Sequence, residues 1–67
     1  MKSVLKVCGM RTLQDVNNIR NAISNKEGII ACQITSEKGE VSVVYDNFFI
    51  SEEDIIVSIE DSGYTVI

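Results

Sequence analysis

Apolar residues recur along this chain with two different periods, and the changes of period divide it into six segments. Val4-Leu5-Lys6-Val7-Cys8 alternates with period two, which puts Leu5 and Val7 on one side of a strand and Lys6 and Cys8 on the other. Gly9 breaks the run. After Thr12, Val16, Ile19 and Ile23 follow at helical spacing with Leu13 and Ala22 beside them, while Asn17, Asn18, Arg20, Asn21 and Ser24 fill the outer face. Gly28 stands where a left-handed residue would end that helix. Period two returns over residues 29–36, with Ile30, Cys32 and Ile34 on one face. Glu37-Lys38-Gly39 reads as a hairpin turn, and over residues 40–45 Val41, Val43 and Tyr45 oppose Ser42 and Val44. Residues 46–50 connect to a second helix with Ile55, Ile56 and Ile59 as its buried stripe, ended by Gly63 and followed by an edge strand over 64–67.

Both helix starts carry the same local word. Thr12-Leu13-Gln14-Asp15 and Ser51-Glu52-Glu53-Asp54 place a hydroxyl residue three positions before a carboxylate, the spacing of a capping box. The order β-α-β-β-α-β predicts an α+β, ferredoxin-like sandwich: a four-stranded antiparallel sheet with two helices on one face, formed by residues 1–67 as a single domain.

Composition narrows the function classes. The 67 residues carry 6 basic and 10 acidic side chains, a net charge of −4, so a basic face for nucleic acid is not expected. No apolar run approaches the roughly 18 residues of a membrane span. MKSVLKVCGM lacks the long apolar core of a secretory signal, and a cytoplasmic protein is expected. The chain has no histidine, no nucleophile–base pair and no glycine-rich phosphate loop, so an enzyme is not expected and no catalytic residue is assigned. Its two cysteines, Cys8 and Cys32, belong to opposite faces of the predicted sheet and are expected to be free thiols.

Several longer words carry a resemblance. They are Lys6-Val7-Cys8-Gly9-Met10, Glu27-Gly28-Ile29, Gly39-Glu40-Val41-Ser42-Val43-Val44-Tyr45-Asp46 and Ile59-Glu60-Asp61-Ser62-Gly63-Tyr64. In sequence and spacing, over the whole length, they resemble the heavy-metal-associated domain family, in particular its small bacterial copper chaperones. The resemblance implies a binding module of copper trafficking whose partners are another heavy-metal-associated domain, a transporter or a regulator. In that family the Gly-Met pair opens a metal loop, M-x-C-x-x-C, whose two thiolates suit soft Cu(I). Here the loop reads Met10-Arg11-Thr12-Leu13-Gln14-Asp15, so Thr12 and Asp15 stand at the two ligand positions. A hydroxyl and a carboxylate make a poor Cu(I) site, and both are good helix-capping groups. The loop is therefore degenerate. Cu(I) binding is expected to be lost or weakened, and no metal ligand is assigned there.

Cys8 just before the Gly-Met pair is the remaining thiol candidate for a metal, against the plainer reading of a surface thiol. Cys32 occupies a core-facing strand position and reads as a small apolar residue. Met10 matches the loop methionine that packs beneath the family's metal site, and Tyr64 an aromatic that borders the loop. Met10, Arg11, Thr12, Asp15 and Tyr64 form the expected partner surface. Phe48 and Phe49 lie in a connection where the family has polar residues. They either fold back over the end of the core or stand exposed as a contact patch. Exposed, they would add to the partner surface and favour an alternative reading: a metal-independent interaction domain, or a homodimer built on this scaffold.

Overall fold

Thr12 and Ser51 fix where the two helices begin. In the computed structural model, which describes residues 1–67, the Thr12 backbone is extended and its Oγ1 accepts from the Asp15 N–H at 3.2 Å, while an Asp15 oxygen accepts from the Thr12 N–H at 3.1 Å. Ser51 and Asp54 repeat the exchange at 3.2 and 3.1 Å. Each pair satisfies amide donors that the first turn leaves without an intrahelical partner. The helices are α1, Leu13–Ser24, and α2, Glu52–Asp61. At the end of α2 Ser62 caps the helix, and Gly63 follows with φ +98°.

The strands are β1 (Lys2–Cys8), β2 (Ile29–Thr35), β3 (Glu40–Tyr45) and β4 (Thr65–Val66). They form one antiparallel sheet in the order β2-β3-β1-β4. A short 3-10 turn, Ser36–Lys38, closes the β2–β3 hairpin, with Gly39 at φ +64° as the turn reading expects. The fold is thus the ferredoxin-like sandwich expected from the order of elements. Between sheet and helices lies one core of Leu5 and Val7 from β1, Val41, Val43 and Tyr45 from β3, Ile19 and Ile23 from α1, Ile55 and Ile59 from α2, and Ile50. Each isoleucine so buried contributes about 1.5–3 kcal/mol relative to exposure.

Three positions depart from the sequence reading. Ile30 was expected inside with Cys32 and Ile34 but is 69% exposed. The register shifts between Ile29, opposite Tyr45, and Ala31, opposite Val44, so Ile30 is the extra residue of a β-bulge. Inward alternation therefore runs through Ile29, Cys32 and Ile34, all packed against the core. Leu13, expected beside the helical stripe, is exposed: six residues before buried Ile19, it lies about 120° round α1 from it. Gly28 does not terminate α1. The helix stops at Asn25, in right-handed geometry, and Gly28 serves the entry to β2 instead. Its φ is +95°, and a Cβ there would sit 2.8 Å from the Phe49 Cβ.

The strand register defines two ends of the molecule. Loop 9–12 follows the last residue of β1, whereas loop 46–50 follows Tyr45, whose N–H donates to the Met1 carbonyl oxygen at 2.8 Å. A seven-residue strand therefore lies between the two loops, a length of roughly 23 Å.

Candidate functional site

The loop after β1 is held from three directions. Gly9, at φ +99°, lets the Tyr64 ring approach: a Cβ there would meet Tyr64 Cδ1 at 3.4 Å. Met10 packs its side chain partly against the core. Arg11 and Thr12 both donate their backbone N–H to Asp15 Oδ2, at 3.0 and 3.1 Å. Asp15, in the first turn of α1, thereby ties the loop to the helix start, where the helix dipole also favours its charge.

The other carboxylate oxygen is taken as well. Tyr64 Oη donates to Asp15 Oδ1 at 2.6 Å, and in turn accepts from Asn18 Nδ2 at 3.3 Å. Gln14 Nε2 donates to Asn18 Oδ1 at 3.0 Å. The donors thus run in one direction, Gln14 to Asn18 to Tyr64 to Asp15, and each bond polarises the next. Donation from the Tyr64 hydroxyl, with help from the Arg11 and Thr12 amides, holds the Asp15 carboxyl at about 2, below its ordinary 3.8. The same bond raises the Tyr64 hydroxyl above its ordinary value, since only the neutral hydroxyl can donate to Asp15 and ionising it would forfeit the bond.

As donors toward a metal, Thr12 and Asp15 offer oxygen, and both Asp15 oxygens already accept from the protein. No group of three or more Asp, Glu or Cys side chains converges in the structure. The donor set does not fit soft univalent copper. Cys8 is a free, exposed thiol at the end of β1, opposite Thr65 of β4. Cys32 is free and half-buried on the inward side of β2, and burial pushes its thiol up from 9.0.

Of the side chains expected to form a partner surface, the fold brings Met10, Arg11, Thr12, Asp15 and Tyr64 to one end. It places Phe48 and Phe49 at the other, 93% and 64% exposed. Asn18 was read only as an outer-face residue and Gln14 only as part of the Thr12–Asp15 capping word. Their spacing, four apart on α1 with Asn18 three beyond Asp15, was the available sign that they share the Asp15 side of the helix.

Comparison with known proteins extends the picture to the whole chain. No protein-family model matches it. A copper chaperone CopZ from Staphylococcus aureus (strain bovine RF122 / ET3-1) is 30% identical over 66 residues, spanning 98% of this chain and 97% of that protein. The structure of a CopZ metallochaperone superposes with a TM-score of 0.97 at 30% identity, with 100% of both chains covered. A copper binding domain from a P-type ATPase gives a TM-score of 0.95 at 29% identity, covering 98% of this chain and 89% of the other. Full-length sequence identity and the shared fold agree with the loop words at residues 6–10 and 59–64: this chain belongs to the heavy-metal-associated domain family, among the relatives of the copper chaperones.

Proposed function

We propose that this chain is a docking module of cytoplasmic copper handling that carries no Cu(I) at its first loop. The observation behind the reading is the state of Asp15. At the position of the second ligand, a carboxylate accepts from two backbone amides and from the Tyr64 hydroxyl. A metal would have to displace these donors and would gain only hard oxygen in return, which suits Cu(I) poorly. Shape is retained while the sulfur pair is replaced. The end formed by Met10, Arg11, Thr12, Asp15 and Tyr64 remains a surface for a like domain on a transporter or regulator. Because Asp15 fixes the loop to the start of α1, the surface is ordered before any partner arrives, which lowers the entropic cost of docking.

Titration of the reduced protein with Cu(I) against a competing chelator tests the proposal. The expected result is no tight one-to-one complex, for the wild type and for Cys8→Ser alike. A tight complex with the wild type overturns it. Cys8→Ser then shows whether the thiol or the loop oxygens hold the ion.

A further inference from the structure

The end of the molecule far from the first loop carries features that the copper reading does not use. Phe48 is 93% exposed and Phe49 64%, yet the loop presenting them is firmly built. Phe48 N–H donates to Asp46 Oδ1 at 2.9 Å, and Phe49 N–H to the Asp46 carbonyl at 3.0 Å. Asp46 N–H in turn donates to the Gly28 carbonyl at 2.8 Å. Gly28 lies so close beneath the Phe49 Cβ that a side chain there would force the loop to shift. Two large apolar side chains are thus held outward by a fixed backbone, with the ordering cost met before binding.

Beside Phe49 is an open cleft of about 310 Å³, bordered by Phe49, Lys26 and Glu27 on one side and by Asp54, Val57 and Asp61 of α2 on the other. Asp54, Val57 and Asp61 share one face of the helix, and Val57 is itself exposed. Three carboxylates against one ammonium leave this cleft negative. Moreover, α2 bears Glu52, Glu53, Asp54, Glu60 and Asp61 and no Lys or Arg. Acids in its last turn oppose the helix dipole, so the stability of α2 alone does not account for Glu60 and Asp61.

We infer that this end is a docking site for a basic amphipathic helix of a partner protein, lying along α2 with its apolar side on Phe48, Phe49 and Val57. Asp54 and Asp61 are seven residues apart, roughly 10 Å along the axis. That spacing suits cations at positions i and i+7 of a helix running alongside, with apolar residues at i+3 and i+4 facing Val57 and Phe49. A second copy of this chain would bring the same acidic face and another −4 of charge, and an anionic lipid surface is repelled on the same ground. The inference does not depend on whether the first loop holds copper.

A designed 14-residue peptide of Leu and Lys in that pattern, added to the ¹⁵N-labelled full chain, tests it, with a scrambled peptide of identical composition as control. Saturable amide shifts are expected around Phe48, Phe49, Val57 and Asp61. Affinity is expected to fall about tenfold or more in Phe48→Ser/Phe49→Ser, which keeps both Cβ atoms and the loop, and to fall also in Asp61→Asn. Equal binding of the scrambled peptide, shifts centred on Arg11–Asp15, or unchanged affinity in the aromatic variant overturns the inference. So does sedimentation showing that the wild type self-associates while the aromatic variant is monomeric, since the occupant is then a second copy.

Discussion

Both oxygens of Asp15 are engaged, and that one side chain sets the chemistry of the first loop. Its folded carboxyl, at about 2, lies below the ordinary 3.8. The charged form is therefore favoured by folding. Its stabilisation is present above about 3.8 and is lost as pH falls through about 2. Tyr64 behaves in the opposite sense: its raised hydroxyl stabilises the fold below its ordinary 10.0, and the benefit is lost as pH rises beyond that. Replacing Tyr64 with Phe removes the largest cause of the Asp15 shift. An Asp15 carboxyl that titrates higher in Tyr64→Phe than in the wild type, followed by ¹³C NMR, is the expected result. An unchanged midpoint contradicts the assigned cause. The Thr12–Asp15 exchange was readable because it is confined to four consecutive residues. The Tyr64–Asp15 bond joins residues 49 apart in sequence, and no local pattern announces which oxygen a distant hydroxyl will reach.

At the scale of elements, the hydrophobic periods located both helices and all four strands, and failed where pairing rather than pattern decides. Period two assigned Ile30 to the core, yet the bulge at Ile29/Ala31 shifts it outward. A bulge is a property of two strands together, and the chain of β2 alone carries no trace of it. Leu13 was misplaced for a different reason, since it lies about 120° round α1 from buried Ile19 and so belongs to the flank of the stripe. These differences have measurable consequences. Ile30→Ser is expected to change stability by no more than about 0.5 kcal/mol. Ile59→Ala, at a site with no exposed surface, is expected to cost about 2–5 kcal/mol. A domain of this size has only about 3–5 kcal/mol in all, so the Ile59 variant is expected to be largely unfolded. Urea denaturation followed by circular dichroism checks both. A severe loss for Ile30→Ser, or a mild one for Ile59→Ala, contradicts the register described here.

Over the whole molecule, the family words were legible because they mark positions the fold needs: glycines at positive φ, the inward valines of β3, the aromatic after α2. The division of the surface into two ends was not legible. Met10 and Phe49 both read as members of one partner surface, and only the antiparallel register shows a full strand length between them. The resulting molecule has the shape of a copper chaperone with an oxygen-donating, internally bonded first loop and a separate acidic, aromatic end. No helix is long and apolar enough to cross a membrane. Central to this account is that the scaffold remains competent while Thr12 and Asp15 deny it a soft-metal site. Side-by-side Cu(I) competition titration of the wild type and Thr12→Cys/Asp15→Cys, both reduced, measures that directly. The expected outcome is a tight one-to-one complex in the double variant alone; equal affinity in the two proteins would contradict it.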